Sequence, residues 1–401
     1  MTAMPKLLFL GFAFPPGAAA LYPHLNPAGH ALETQLIAAL RRHFEIRSVG
    51  LLPVKPPSTQ GDDPGSGIPH ELLLLEKPPE LYYRFRSLAQ LKRQYHLWRK
   101  SGWVPDLLLV YNLSPIYNQF ITWLRHSPAP PKLVLLLLDS PNLGQELHWW
   151  KQFRRSLKPF HISDAAMVGR FDACVGLSQS AAKYFETRQI PFFWMPGGCT
   201  PGRALTDDGP AAGYEKRSSF RFGYFGALGA HAGVSLLAQN FLALNTSATL
   251  EICGYGKAGD ALRELARDNE RLKFLGLLTP ADCLQFGRGC DVLINPRPAT
   301  HGNENNFPSK IFEYALCGRA ILTSQLSGVE TVLGPEAFYF DPFDFARSLQ
   351  KQLQLLVQTP RSELDRRGSV VQRRILRDFS WEAQATRVAN FLQETFPLKE
   401  R

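Results

Sequence analysis

Asp291-Val292-Leu293-Ile294-Asn295, then Phe307-Pro308-Ser309-Lys310-Ile311-Phe312-Glu313, then Ala320-Ile321-Leu322-Thr323 is the stretch that decides the fold. Two uninterrupted apolar runs bracket a short helical pattern made by Ile311, Phe312, Ala315 and Leu316. Strands without polar alternation are buried on both faces, which predicts a parallel sheet covered by helices. Pro308 in a first helical turn lacks only an N–H that has no intrahelical partner. The N–H groups of Ser309 and Lys310 are then expected to stay free and, with the helix dipole, to form an anion site. Glu313, about one turn further in, can accept hydrogen bonds from a pair of vicinal hydroxyls. A diphosphate beside a ribose diol describes a nucleotide-sugar.

The wider segment reads Asn295-Pro296-Arg297-Pro298, a polar loop Gly302-Asn303-Glu304-Asn305-Asn306, Phe307 to Tyr314, and Cys317-Gly318-Arg319. It resembles the donor-binding segment of glycosyltransferase family 4. The resemblance is strong over 290–325 and weak over nearly all the rest of the chain. It implies a retaining, metal-independent enzyme of the two-domain GT-B fold that uses no cofactor beyond its nucleotide-sugar donor. It also implies that Glu313 holds the donor ribose and that Phe307, Pro308 and Ser309 approach the diphosphate and sugar.

The same pattern recurs along the chain. Apolar runs end in a small or polar residue at Gly11, Asn112, Asp139, Ser178, Gly226, Gly254, Asn295 and Ser324, with helical stretches between them. This is an α/β chain of two doubly wound, Rossmann-like domains, expected to face each other across a cleft. Ligands in such sheets bind beyond the carboxyl ends of the strands, which makes all of these but Ser324 site candidates on topology alone. The 401 residues exceed what one core supports. The expected division is an acceptor-binding domain over 1–200, a linker over 201–219, a donor-binding domain over 220–375, and a C-terminal helix over 376–401 returning to the first domain. Ser380 suits the N-cap of that helix. Leu7 to Leu10 reads as a first strand rather than a secretion signal, because Gly11, Pro15 and Pro16 interrupt the apolar stretch.

Arg297 and Lys310 are the candidate cations for neutralising a leaving diphosphate, against the alternative of two solvated surface charges. Members of the resembled family often carry an Arg and a Lys just after the first strand of the second domain. Here Gly226-Ala227-Leu228-Gly229-Ala230-His231-Ala232-Gly233 offers alanine at both positions, with His231 nearby. The family's second donor-loop glutamate falls on Asn305, with Glu304 one place earlier, so either is a candidate for the sugar hydroxyls. Gly29, behind Ala28, resembles the family's glycine turn ahead of the first helix, where a missing side chain lets backbone approach the donor. Asp139 follows the most apolar strand and must face a polar environment or a partner. Relatives often place a His-Asp there, but the His position is Leu138, which leaves Asp139 for sugar or acceptor contact, with His24, His30 and His148 as alternatives. There is no Asp-x-Asp, the usual metal clamp of the other large glycosyltransferase fold.

Six scattered cysteines without a C-x2-C pair argue against a disulfide framework or zinc site and for a reducing, cytoplasmic setting. The net charge of +10 is uneven: residues 1–200 carry 21 Lys and Arg against 13 Asp and Glu. Residues 84–100 contain six basic and no acidic side chains, with Leu81, Phe85, Leu88, Leu91, Tyr95 and Trp98 at helical spacing. This pattern over 81–100, and a Trp- and Arg-rich patch over 149–160, suits an anionic membrane surface; the alternative is a core-facing helix with a solvated basic back. No nucleic-acid motif accompanies the charge. The reading is a hexose-type transferase acting on a glycan or lipid-linked acceptor. Two others stay open: a non-catalytic scaffold on the same fold, and another enzyme on it, such as a nucleotide-sugar epimerase.

Overall fold

The computed structural model describes residues 4–12, 27–52, 72–76, 81–138, 164–203, 219–326 and 328–397. They fall into two compact units, Met1–Met195 with Gln384–Arg401, and Pro196–Ala383.

The first unit holds β1 (Lys6–Gly11), α1 (Pro27–Leu40), β2 (Glu45–Leu52), β3 (Leu72–Glu76), α2 (Leu81–Lys100), β4 (Leu107–Tyr111), α3 (Pro115–Arg125), β5 (Lys132–Leu137), α4 (Asp164–Val168), β6 (Ala173–Gly176), α5 (Ala182–Glu186) and β7 (Phe192–Trp194). Its parallel strands run in the order β3-β2-β1-β4-β5-β6-β7. β1 is flanked by β2 and β4, and Leu7, Leu8, Phe9 and Leu10 are fully buried. Burial on both faces is why this strand reads as an unbroken apolar run. β2, β3 and β7 were not among the strands read from sequence. β2 carries Glu45, Arg47 and Ser48 between its apolar residues, and β7 is a three-residue edge strand.

α2 divides the stripe read from its spacing. Leu88, Leu91, Tyr95 and Trp98 are buried in the first unit's core, so most of the aromatic stripe packs inward. Phe85 at 55% and Leu97 at 49% relative exposure remain outside, among exposed Arg86, Arg93 and Lys100. The patch over 149–160 lies outside the described residues.

The second unit holds β8 (Arg221–Ala227), α6 (Val234–Leu242), β9 (Thr249–Tyr255), α7 (Gly259–Arg267), β10 (Leu272–Gly276), α8 (Pro280–Arg288), β11 (Val292–Asn295), α9 (His301–Asn305), α10 (Lys310–Leu316), β12 (Ala320–Ser324), α11 (Val329–Leu333), β13 (Phe338–Phe340), α12 (Phe345–Gln358) and α13 (Arg361–Asp378). The sheet order is β10-β9-β8-β11-β12-β13, again parallel. α14 (Trp381–Thr395) follows, and the Ala383 N–H donates to Ser380 Oγ at 3.2 Å, so the serine caps it. From Gln384 onward this helix belongs to the first unit. Of the linker expected over 201–219, Pro201–Arg203 form a single helical turn and residues 204–218 lie outside the described set.

Candidate functional site

In the second sheet β8 pairs with β9 on one side and β11 on the other, so chain order reverses between β8 and β11. A doubly wound sheet opens at that reversal, because the connections leave its two strands toward opposite faces. Here the opening is built into the backbone. β8 and β11 pair only at Phe222–Val292 and Gly223–Leu293, whereas β11 stays paired with β12 as far as Asn295. Beyond that point Tyr314 takes the place of a strand. Its hydroxyl donates to the Phe225 carbonyl at 3.1 Å and accepts from the Phe225 N–H at 3.3 Å. Tyr314 is fully buried, so both backbone groups would otherwise be unsatisfied.

Three loops converge beyond these strand ends. Gly226 has φ +145° and pairs with Gly254 at φ +149°; a Cβ on Gly254 would lie 1.8 Å from the Gly226 carbonyl oxygen. A Cβ on Gly226 would fall 2.5 Å from Lys310 Cε and 2.6 Å from its Nζ. Both positions therefore require glycine, one for backbone contact and the other because Lys310 lies across it. Lys310 Nζ stands 3.5 Å from Glu313 Oε2 and 5.6 Å from the centre of the Phe225 ring. This ion pair is partly open to solvent, which lets both groups exchange partners at small cost.

Arg297, just past β11, is half-buried, and its Nη1 donates to the Asn306 carbonyl at 3.2 Å. No carboxylate pairs with it among the described residues. Burial of the guanidinium holds its pKa below the ordinary arginine value, with the Tyr224 phenol opposing the shift. A half-buried cation facing only neutral groups is a site for an anion. His231 lies on the loop after β8, its ring against the Gly229 Cα. Burial first, and then the charge of Arg297, hold its pKa below the usual histidine value although the side chain is largely exposed.

Arg297, Lys310, Glu313, His231, Gly226 and Gly254 thus lie in one neighbourhood of the second unit. Several expectations change in detail. The polar loop is the short helix α9, with Thr300 as its N-cap, and it carries Glu304 exposed and Asn305 half-buried. Pro308 precedes the helix instead of entering its first turn, because α10 starts at Lys310. The Ser309 N–H is not free: the chain folds back tightly, and it donates to the Phe307 carbonyl at 3.0 Å. Phe307 is nearly buried and packs on Phe312 with ring centroids 5.8 Å apart, which makes it a wall of the turn. Gly29 sits within the first turn of α1, in the first unit, where a glycine turn ahead of the helix was expected. Asp139, His24 and His148 lie outside the described residues.

Sequence reasoning passed over Asn303, Tyr224 and Tyr314. A tyrosine inside an apolar helix face must find a hydrogen-bond partner when buried, and the Phe312-Glu313-Tyr314 pattern carried that signal. Which backbone groups it meets depends on where two strands part, and no local pattern encodes that.

Residues 219–359 match the family described as glycosyl transferases group 1. No curated protein is recognisably similar to the chain in sequence. Among solved structures, HepE from Anabaena in complex with UDP superposes with a TM-score of 0.65 at 16% identity, covering 97% of this chain and 100% of that one. Sucrose-phosphate synthase from Thermosynechococcus elongatus gives 0.67 at 12% identity, over 98% and 100% of the two chains. The apo form of WaaB, a lipopolysaccharide outer core galactosyltransferase, gives 0.63 at 13% identity, over 98% and 100%. Identities this low establish the fold, which is GT-B. The candidate residues gathered by β8, β9, β11 and α10 fall within 219–359, the part of the chain that matches glycosyl transferases group 1.

Proposed function

We propose that the protein transfers a hexose-type sugar from a nucleoside diphosphate donor to a glycan or lipid-linked acceptor, with retention of configuration and without a metal ion. The observation that carries the reading is Arg297, a half-buried cation with only a neutral partner, on the loop after β11, with the Lys310–Glu313 pair on α10 across the β8–β11 opening. A donor diphosphate there meets the Arg297 guanidinium and, once Lys310 swings from Glu313, its ammonium. Glu313 is then free to accept hydrogen bonds from the ribose hydroxyls. HepE, which shares the fold, is known in complexes with UDP and with UDP-glucose, which favours a uridine donor as the first to try.

In a retaining transfer the leaving diphosphate and the attacking hydroxyl share one face of the sugar. The protein's work is then to orient the two and to stabilise charge growing on the leaving group, for which two cations suit better than a strong base. Docking on an anionic cytoplasmic membrane surface would use the outer face of α2. That face presents Arg86, Arg93 and Lys100 with exposed Phe85 and Leu97, and the helix contains no acidic residue.

The second reading, a non-catalytic scaffold on this fold, draws on the stretch Gly226 to Gly233, which offers alanine where the resembled family often has its basic pair. A screen of UDP, GDP and ADP sugars for thermal stabilisation, followed by transfer and donor-hydrolysis assays, separates the two. Stabilisation with turnover is expected. Stabilisation by a nucleotide without turnover of any sugar would favour the scaffold, and the absence of any nucleotide binding would refute the donor site.

A further inference from the structure

We infer that Asn303 is the positioning residue of this site, a carboxamide clasp that holds the His231 loop and the Arg297 loop at a fixed separation. The inference rests on the donor-site reading above. Asn303 is 3% exposed, and its Nδ2 donates to the His231 carbonyl at 2.9 Å and to the Pro298 carbonyl at 2.9 Å. One carbonyl belongs to His231 itself and the other to the residue after Arg297, so both protons of one amide group join the two loops. The Asn303 N–H is held in turn by Thr300 Oγ1 at 3.3 Å, which fixes the residue at the start of α9.

The two loops also meet backbone to backbone. Gly233 has φ +71°, and a Cβ there would lie 1.8 Å from the Pro296 carbonyl oxygen. At the other end of α9, the Asn306 carbonyl takes Arg297 Nη1. Arg297 is therefore steadied from two sides by one short helix, through Pro298 by Asn303 and directly by Asn306.

The clasp sets the distance between the two side chains, and they lie within electrostatic reach: burial first, and then the positive charge of Arg297, disfavour protonation of His231. The residue type follows from the partners. Two carbonyl oxygens require two donors and no negative charge. Asp presents only acceptors when ionised, and Ser donates one proton.

The experiment is a double-mutant cycle on UDP binding by calorimetry, using Asn303→Ala and Arg297→Ala in the full chain. Asn303→Ala is expected to weaken UDP about tenfold in the wild-type background and less than threefold once Arg297 is gone, because it acts through Arg297. The His231 ring titration, followed by NMR, should move up toward its ordinary value in Asn303→Ala as the guanidinium drifts away. With Arg297 already replaced by alanine, Asn303→Ala should leave that titration unmoved, whereas a general loosening that exposes the ring would raise it in both backgrounds. Equal weakening in both backgrounds, or an unmoved His231 titration, overturns the inference. Should Asn303→Ala fail to fold, Asn303→Ser, which keeps one donor, carries the same test with a partial shift expected. If the wild type binds no nucleoside diphosphate, the donor reading falls, while the His231 titration still decides whether Asn303 sets the pair.

Discussion

Arg297→Ala should separate function from stability, and the structure gives both magnitudes. In the free protein the substitution deletes one hydrogen bond, from Nη1 to the Asn306 carbonyl at 3.2 Å. A bond to a charged donor contributes about 1.5–3 kcal/mol. The substitution also removes a guanidinium held half out of water without a counter-charge, whose desolvation opposes folding by a comparable amount. Asn306 is itself half-buried, so water can replace the lost donor. The net change in unfolding free energy should fall within about 1 kcal/mol of zero, or less than about 4 °C in Tm for a unit of this size. Donor binding has no such compensation. Losing a charge-assisted contact to diphosphate should cost about 1.5–3 kcal/mol, or about 10- to 150-fold in Kd. Calorimetry with UDP and a thermal melt of the same samples measure both. A Tm lowered by more than about 8 °C with unchanged nucleotide affinity would refute the reasoning and make Arg297 a structural residue.

Tyr314→Phe leaves the Phe225 N–H and carbonyl buried without partners, at about 1–3 kcal/mol for each group. The urea midpoint of the second unit should therefore drop by about 1 M or more, and a shift below about 0.3 M would mean that water or β11 fills the gap. His231 has a folded pKa below its unfolded value near 6.5, so its contribution to stability is whole above that pH and is lost as pH falls from there toward the folded value. An anionic donor favours the protonated ring, so UDP binding near pH 6 should take up protons and tighten on acidification. Calorimetry in buffers of different ionisation enthalpy reads this, and His231→Asn should abolish it. Reversing Arg86, Arg93 and Lys100 to Glu should remove salt-sensitive binding to phosphatidylglycerol vesicles without lowering Tm, since the three lie on the exposed face of α2. Equal partitioning of the wild type onto neutral vesicles would count against membrane docking.

The central strands were legible because they are covered on both faces. Leu7 to Leu10, Leu133 to Leu137 and Val292 to Ile294 admit no polar residue, and each was read within a residue or two of its observed ends. The motif around Glu313 was legible for a similar reason, since strand, turn, helix and strand follow one another without long excursions. β2 and the edge strands β7 and β13 carry a weaker signal, because partial burial or brevity removes the continuous apolar run. α2 shows the limit of periodicity. Its spacing marks a face, yet the same face suits a core or a bilayer, and packing against β-strands of the first unit took Leu88, Leu91, Tyr95 and Trp98 inward.

The sequence by itself determined the fold class, the central strands, and which residue types gather near Glu313, because burial and helix periodicity are written in consecutive residues. Only the tertiary structure decided that β8 and β11 part after Gly223, that Tyr314 fills the gap, that Lys310 crosses Gly226, and that Asn303 ties His231 to the loop of Arg297. The last three join residues from different elements through one or two hydrogen bonds or a missing Cβ. Such contacts are set by how two strands diverge in space, and no local pattern of hydrophobicity or charge records that divergence.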